Sequence, residues 1–542
     1  MTAMQVRDLL ELAWRSAGLP GFLRRPPSVE AAAGAVAERV RRREAAFLCV
    51  AEKLMYGVAR NPLGRLLRWA GCTPGDLRRM VAADGVEATL ARLHAAGVRV
   101  SADEFRGRAP LRRSGLELAL GPRDFDNPRV GGGVSGATSG TTGRGLPVRY
   151  SWAFLAGEAL HELLLLASHG LTAAPLALWL PAPPGIAGLH NLLVHARLGR
   201  PPDRWFSPSP PPDAGEPLAR WADRGWRGAR RLLPRLGPAA EWVPAEQADR
   251  VARWLAAAPR PALLKCFAGS AVRAAAAGAA AGLDLSGQVV FAGGEPLTES
   301  RRDFLSRSGL RAYARYAATE TGFIAGACPL SAGGADMHLY ADRLAVIAGG
   351  PAAGAGTAGP LAFTSLSLAA PKVLLNVELG DHGVLRRQAC DCSLGRAGLS
   401  WRVAGVHDPA RIAAEGVKLE TIDLIRLVEE ALRDLGGSPD DFQIWLGDGT
   451  DGASLPTIAL AAQSAVQPEA LRRRLRQRLP ELAGGALAAT LWIDAGALAI
   501  ERRPLLPGPG QKLLRVVGAP DGARTAAPAR APGTGDASAS RS

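Results

Sequence analysis

The stretch Gly131-Gly-Gly-Val-Ser-Gly-Ala-Thr-Ser-Gly-Thr-Thr-Gly143 is the most distinctive segment of this 542-residue chain. Its glycines free the backbone to curl, and its serines and threonines add hydroxyl groups. Consecutive backbone N–H groups in such a loop form a nest that can surround the oxygens of a phosphate. A flexible linker is the alternative that this composition leaves open. The loop is not a Walker loop, because Arg144 and not a lysine follows the last glycine.

The sequence on either side of this loop changes its pattern near residue 110. Residues 1–110 carry apolar residues at spacings of three and four, which predicts a helical lead-in over 6–16, 29–57 and 74–93. Residues 111–407 show short apolar runs between glycine-rich turns and alanine-rich segments, a pattern typical of buried strands in an α/β sheet. The clearest predicted strands are 176–180, 262–266, 288–291 and 345–347.

Residues 408–518 predict a separate, small α+β domain. Its predicted elements are a helix at 419–435, strands near 442–446 and 457–462, a helix at 468–479 and a strand near 488–493. Residues 519–542, which have no aromatic residue, predict a disordered tail. The predicted fold is therefore α/β, with a large N-terminal domain of mixed sheets and helices and a small α+β C-terminal domain.

The net charge of +15 comes from 65 Lys and Arg residues against 50 Asp and Glu residues. Because no run of five or six like charges accompanies it, we expect no nucleic-acid partner. Only Lys53, Lys265, Lys372, Lys418 and Lys512 are lysines, so arginine accounts for the other 60. Because arginine is the usual basic residue of this chain, each lysine is a candidate for a specific role.

Six cysteines in a chain of this length do not make a disulfide framework. The first residues lack the basic start and apolar core of a signal peptide. The longest apolar stretch, 163–181, is interrupted by His169 and prolines, so no membrane span is predicted. These features lead us to expect a cytoplasmic protein, either a monomer or a homodimer.

Five segments, in order, resemble the motifs of the adenylate-forming superfamily, which contains acyl-CoA ligases, luciferases and peptide-synthetase adenylation domains. They are Thr138-Ser-Gly-Thr-Thr-Gly143 with Pro147, Gly293-Gly-Glu-Pro-Leu297, Tyr316-Ala-Ala-Thr-Glu320, Leu379-Gly-Asp-His-Gly383 and Pro509-Gly-Gln-Lys-Leu-Leu-Arg515. The resemblance implies a large N-terminal adenylate-forming domain and a mobile C-terminal domain. It further implies ATP-dependent activation of a carboxylic acid to an acyl- or aryl-adenylate, with release of pyrophosphate, followed by thioester formation with coenzyme A.

The resemblance also implies how the triphosphate is held. Glu320 would bind Mg²⁺, and Thr319 would contact the α-phosphate. Lys512 would bridge the incoming carboxylate and the α-phosphate, where negative charge develops. The β- and γ-phosphates would lie in the glycine loop, on Thr138, Ser139, Gly140, Thr141, Thr142 and Gly143.

The nucleoside would lie against the other motifs. Gly294 and Glu295 would line the nucleotide pocket, Tyr316 would stack on adenine, and Asp381 would accept hydrogen bonds from the ribose hydroxyls. Asp408 would be the hinge of the C-terminal domain.

Two features resemble the phenylacetate-CoA ligase-like branch in particular. One is the helical opening, with Asn61-Pro-Leu-Gly-Arg-Leu-Leu and Gly71-Cys-Thr-Pro-Gly-Asp-Leu. The other is a set of possible ligands for a structural zinc beside the nucleotide pocket: Cys328, His338, Cys390 and Cys392. Buried free cysteines and a surface histidine are the alternative.

The chain departs from the superfamily pattern at the hinge, where Gly405-Val-His-Asp-Pro409 lacks the usual arginine. His407 or Arg402 would then have to replace that ribose contact. An acceptor other than CoA (an amine, a carrier-protein thiol or another nucleophile) therefore stays open, as does a noncatalytic nucleotide-binding relative. The acyl pocket is predicted from 179–191, 265–270 and 293–296, whose apolar lining suits an aromatic or medium-chain acid. His190 and His195 in this region could contact a polar substituent or serve the core.

Overall fold

The computed structural model describes residues 18–137, 147–183, 185–209, 228, 230–231, 233–294, 296–297, 299–348, 358–407, 411–414, 417–437, 441–446, 456–482, 485–494, 498–505 and 516–518. Its α-helices are α1 Leu19–Leu23, α2 Val29–Arg41, α3 Arg43–Val50, α4 Pro62–Trp69, α5 Pro74–Ala95, α6 Ala102–Arg106, α7 Trp152–Ser168, α8 Ile186–Arg197, α9 Ala248–Ala257, α10 Ala268–Ala280, α11 Glu299–Arg307, α12 Ser393–Arg396, α13 Thr421–Asp434, α14 Pro468–Arg478 and α15 Gly485–Ala488.

Its strands are β1 Leu111–Arg113, β2 Leu116–Leu118, β3 Gly133–Ala137, β4 Pro147–Ser151, β5 Leu176–Trp179, β6 Arg204–Ser207, β7 Ala240–Trp242, β8 Leu263–Phe267, β9 Val289–Gly293, β10 Arg311–Ala318, β11 Gly322–Ala327, β12 Met337–Leu339, β13 Leu344–Ala348, β14 Gly359–Ser365, β15 Val377–Arg387, β16 Trp401–His407, β17 Arg411–Ala414, β18 Val417–Glu420, β19 Phe442–Leu446, β20 Thr457–Leu460, β21 Ala499–Arg502 and β22 Val516–Gly518.

Among the described residues, twelve strands form one mixed sheet. Their order is β13-β14-β15-β16-β12-β11-β10-β9-β8-β5-β6-β7. The strands from β10 to β7 along this order run parallel to their neighbours, and those from β10 to β13 run antiparallel. The change of direction falls at the turn between β10 and β11.

Helices cover both faces of the parallel part, as parallel sheets require. In β5, Leu176 and Leu178 pack into the core that contains α7, whereas Ala177 and Trp179 pack into the core that contains α9 and α10. All four residues are buried, which explains why the sequence shows a continuous apolar run and not an alternation. The predicted α/β fold class is confirmed, and the four predicted strands lie within two residues of β5, β8, β9 and β13.

The C-terminal region forms a second, four-stranded sheet, in the order β21-β20-β19-β22, and residues from Leu419 to Ile500 build a core of their own. The predicted strand near 488–493 is wrong: residues 485–494 are helical. Ala488 and Trp492 are fully buried in that core. A short apolar run can be buried as a helix or a strand, and the alanines here favour the helix.

None of the helices in the described ranges has both the length and the apolar character needed to cross a membrane.

Candidate functional site

The turn between β10 and β11 carries Thr319 and Glu320, at the point where the strand pairing of the sheet changes from parallel to antiparallel. Tyr316, near the end of β10, is buried, and its hydroxyl donates a hydrogen bond to Oδ2 of Asp381 on β15 at 2.7 Å. The two residues are 65 positions apart in the sequence. The structure therefore brings the predicted adenine, ribose and α-phosphate contacts into one region.

The glycine loop connects the two strands of the β3–β4 hairpin, in which Ala137 pairs with Pro147. The loop residues Thr138 to Gly143 lie outside the described residues. Tyr150 on β4 is buried, and its hydroxyl donates to the carbonyl oxygen of Thr319 at 2.7 Å. The hairpin that bears the loop is thus hydrogen-bonded directly to the turn that carries Glu320.

Gly294 follows β9 and lies near the same sheet edge, because β9 runs parallel to β10. Its φ of +74° is in the left-handed region, and a Cβ atom there would lie 2.6 Å from the ring of Phe267. Glycine is therefore required at this position. This turn carries the Gly293-Gly294 part of the predicted nucleotide-pocket motif.

Glu320 lines a small cavity together with polar side chains of neighbouring elements. Within the described part of the chain its carboxylate has no ion pair, although arginines are abundant. A half-buried carboxylate beside a predicted triphosphate site is the oxygen ligand that Mg²⁺ takes from proteins. Glu320 therefore fits the metal role predicted for it.

Other predicted site residues lie outside the described residues, so their roles stay predictions. They are the loop residues Thr138, Ser139, Gly140, Thr141, Thr142 and Gly143, with Glu295, the hinge residue Asp408, and Lys512.

Arg402 does not replace the missing hinge arginine. Its side chain is buried and lies within 3.3 Å of Ser331 Oγ and 3.6 Å of Asp336 Oδ2. In the β15–β16 pairing Arg402 lies opposite Arg386, whereas the exposed His407 lies opposite His382, the neighbour of Asp381. The ring centres of His407 and His382 are 5.8 Å apart.

Cys328, His338, Cys390 and Cys392 form a compact cluster in which all four ligand atoms lie within 4.8 Å of one another. The Sγ atoms of Cys328 and Cys390 are 3.7 Å apart, far beyond the roughly 2 Å of a disulfide bond. Two sulfurs bound tetrahedrally at about 2.3 Å from one zinc would be about 3.8 Å apart. The separation therefore fits a shared metal and not a disulfide.

The surroundings of the cluster also suit a metal site. His338 Nδ1 lies 2.7 Å from the carbonyl oxygen of Leu399, and its Nε2 lies 3.1 Å from Cys392 Sγ. Such a carbonyl contact fixes the orientation of a ligating imidazole. The hydrogen bond between Cys328 and Cys392 lowers the pKa of the Cys328 thiol and raises that of Cys392, so Cys328 is the first of the two to form a thiolate. The described residues thus fit zinc.

The cluster lies away from the turn that carries Glu320. Cys328 follows the last residue of β11, whereas Glu320 precedes its first residue. A strand of this length extends about 20 Å. The prediction of a metal beside the nucleotide pocket is therefore wrong about position, because β11 separates the two.

A group of buried ionisable residues includes members that were not among the predicted site residues: Glu162, Arg315, His161 and Asp342. Glu162 on α7 is fully buried, and it accepts hydrogen bonds from Lys265 Nζ and Arg315 Nη1, both at 2.8 Å. His195 Nε2 lies 3.3 Å from the same carboxylate. His161, also on α7, pairs with the buried Asp342 at 2.6 Å. Ionisable residues at spacings of three and four within the apolar sequence of α7 were the sequence signal for this group.

The predicted acyl-pocket residues Lys265, His190 and His195 belong to these buried pairs. His190 hydrogen-bonds the fully buried Glu158. Burial lowers the pKa of Lys265 to about 8, and burial together with Lys265 lowers the pKa of His195 to about 4. For the two histidines, the structure supports the interpretation as core residues.

We expect the buried His195 to make the fold sensitive to mild acid. Its folded-state pKa of about 4 lies below the unfolded value near 6.5, so the unfolded chain binds an extra proton as the pH falls between these values. The free energy of unfolding should then drop by about 2 kcal/mol in total between pH 7 and pH 5 from this residue alone. His195→Gln should remove that part of the slope in urea unfolding measured from pH 7 to pH 5. Equal slopes in the wild type and the variant would contradict the assignment.

No family sequence model matches the chain, and comparison with curated protein sequences finds no match. Solved structures do match. A 2-hydroxyisobutyryl-CoA ligase in complex with 2-HIB-AMP and CoA, in the thioesterification state, is similar with a TM-score of 0.54 and 14% identity, over 89% of this chain and 90% of that one. An open conformation of that ligase matches with a TM-score of 0.45 and 14% identity, over 76% and 82% of the chains. Acetoacetyl-CoA synthetase from Streptomyces lividans matches with a TM-score of 0.36 and 17% identity, over 70% and 53%.

The first of these similarities covers nearly the whole of both chains and establishes the fold. The chain shares the fold of this 2-hydroxyisobutyryl-CoA ligase, in agreement with the fold that the five motifs implied.

Proposed function

We propose that this chain is an AMP-forming carboxylate-CoA ligase. It would activate a carboxylic acid with ATP to an acyl- or aryl-adenylate, release pyrophosphate and pass the acyl group to CoA. The proposal rests on one arrangement of contacts. Tyr316 hydrogen-bonds Asp381, and the Thr319–Glu320 turn that follows is hydrogen-bonded to the hairpin that bears the glycine loop. The fold shared over 89% of the chain supports it.

In the first step a carboxylate oxygen attacks the α-phosphorus of ATP. The bond to the β-phosphate oxygen breaks, and pyrophosphate leaves with the electron pair. Two anions must approach each other, so hydrogen-bond donors and positive charge are needed where charge develops. We assign Thr319 and Lys512 to the α-phosphate, and the hydroxyls and backbone N–H groups of the glycine loop to the β- and γ-phosphates.

The nucleoside would be held by residues on neighbouring strands. Asp381 already accepts one hydrogen bond from Tyr316, and a carboxylate has further lone pairs for the ribose hydroxyls. The Tyr316 ring, oriented by that bond, would contact adenine beside Gly294. Glu320 would hold Mg²⁺, which supplies charge neutralisation of the triphosphate when bound.

In the second step the sulfur of CoA attacks the acyl carbonyl carbon, and AMP leaves as the thiol loses its proton. We place the chain in the phenylacetate-CoA ligase-like branch on the helical opening and the Cys328, His338, Cys390 and Cys392 cluster. Zinc in that cluster would be structural, because four protein ligands leave no open coordination position.

A pyrophosphate-exchange screen over a panel of aromatic and medium-chain acids tests the proposal. We expect exchange that depends on both ATP and one class of acid, and an acyl-CoA product when CoA is added. Exchange without a thioester would reject CoA as acceptor and support transfer to an amine or a carrier-protein thiol. Absence of exchange with every acid would overturn the ligase proposal in favour of a noncatalytic nucleotide-binding protein.

A further inference from the structure

The turn that carries Glu320 is held from the core by two buried charged side chains, Glu158 of α7 and Arg343. Glu158 Oε1 accepts a hydrogen bond from the backbone N–H of Phe323 at 2.7 Å. Arg343 Nη2 donates to the carbonyl oxygen of Phe323 at 2.6 Å and also to the Glu158 carboxylate. The backbone N–H and carbonyl oxygen of Phe323 are therefore both hydrogen-bonded to one buried ion pair, Glu158–Arg343, which we call the turn clamp.

Gly322 gives a second, steric indication of this clamp. Its φ is +74°, and a Cβ atom at this residue would lie 2.5 Å from Glu158 Oε1 and 2.6 Å from the ring of Phe154. The Glu158 carboxylate fills the space that a side chain at residue 322 would need. From the other side, the Tyr150 hydroxyl binds the carbonyl oxygen of Thr319. The turn is thus fixed at both of its ends.

A buried ion pair of this kind is weak evidence of stability, because apolar residues of similar volume often stabilise a core equally well. Glu158 has no exposed surface, and Arg343 is 8% exposed. Burial works against ionisation of Glu158, but the charges of Arg343 and His190 hold its pKa below its usual value. The clamp therefore consists of charged groups with directional hydrogen bonds, which fix backbone orientation more strictly than apolar contacts do.

The clamp also lies beside the predicted metal ligand. Arg343 and Glu320 line the same cavity, together with Thr321 and Phe154. Glu162, one helical turn after Glu158 on α7, is equally buried and equally ion-paired, but its partners are Lys265, Arg315 and His195. None of these contacts of Glu162 involves the backbone of the turn.

We propose that Glu158 and Arg343 are positioning residues that hold the Thr319–Thr321 turn so that the Glu320 carboxylate faces the metal–triphosphate complex. The inference rests on the proposed ligase function. Loss of the clamp should weaken the use of Mg²⁺ and ATP, and this effect should exceed what a general loss of stability produces.

The test compares Glu158→Gln with the matched control Glu162→Gln. Two readouts are measured: amide hydrogen exchange of peptides that cover residues 319–323, and the Mg²⁺ concentration that gives half-maximal pyrophosphate exchange. We expect Glu158→Gln to speed exchange at the turn and to raise the Mg²⁺ requirement by about tenfold. Glu162→Gln should leave both readouts at wild-type values, even if its melting temperature falls as much as that of Glu158→Gln.

Arg343→Lys provides a second test of the clamp if Glu158→Gln does not fold. Lysine retains the positive charge but lacks the fork of donors that reaches both Glu158 and the Phe323 carbonyl, so the same two changes are expected. Equal Mg²⁺ dependence and equal turn protection in the clamp variants and in Glu162→Gln would overturn the inference. A wild-type protein without pyrophosphate exchange would instead overturn the proposed function, while hydrogen exchange would still report whether the clamp holds the turn.

Discussion

Replacement of Lys512 by alanine should lower the rate of acyl-adenylate formation by about 10²- to 10³-fold, the usual loss when one group that stabilises transition-state charge is removed. The side chain is expected to bridge the attacking carboxylate and the α-phosphate, so its charge acts where two anions meet. Binding of ATP should change little, because the proposed nucleotide contacts are made by the loop and Asp381. Pyrophosphate exchange at saturating ATP and acid measures the effect.

The basic residue Arg515 provides a matched control for this prediction. It lies three positions after Lys512 in the same segment, so Arg515→Ala removes the same charge from the same region. We expect near wild-type exchange in Arg515→Ala and strong loss in Lys512→Ala. Equal rates in the two variants, or full adenylation by Lys512→Ala, would show that the carboxylate is activated without this lysine.

The residues that carry the proposed chemistry could be predicted because they lie in short segments that resemble the superfamily motifs. Tyr316 lies near the end of β10, Thr319 and Glu320 directly follow that strand, and Gly294 follows β9. Strand ends of parallel sheets meet at one edge, so local patterns are enough to place these residues together. The contact of Tyr316 with Asp381 confirms that the 316–320 and 379–383 segments meet.

The supporting residues could not be predicted in this way. Glu158 and Arg343 are separated by 185 positions, and nothing in the local sequence around Arg343 distinguishes it from the many other arginines. Arg402 is a similar case: it was a candidate ribose contact, but its side chain contacts Ser331 and Asp336. Pairing between distant charged residues depends on tertiary packing, which local periodicity does not encode.

Purified protein should contain about one zinc per chain, bound by Cys328, His338, Cys390 and Cys392. Cys392→Ser should lose the metal and lower the melting temperature by roughly 5 °C, since a ligand at 1,000 times its Kd contributes about 4 kcal/mol to a folded chain. Cys392 also caps α12, where its Sγ accepts from the N–H of Gly395. Serine can keep that cap, so the loss should come from the metal. Elemental analysis and thermal unfolding, with and without a chelator, measure both effects.

Cys49→Ser is the control, because Cys49 is a half-buried cysteine outside the cluster. It should leave the zinc content and the chelator-dependent shift unchanged. Since β11 separates the cluster from Glu320, initial rates of pyrophosphate exchange measured well below the melting temperature should be nearly the same with and without zinc. Fewer than about 0.2 zinc per chain in the wild type would reject the metal site, and loss of initial rate in step with zinc would reject a purely structural role. Retained rate with lowered thermal stability is the expected outcome, because the four ligands join β11, β12 and the start of α12, and none of them lies in the turn that carries Glu320.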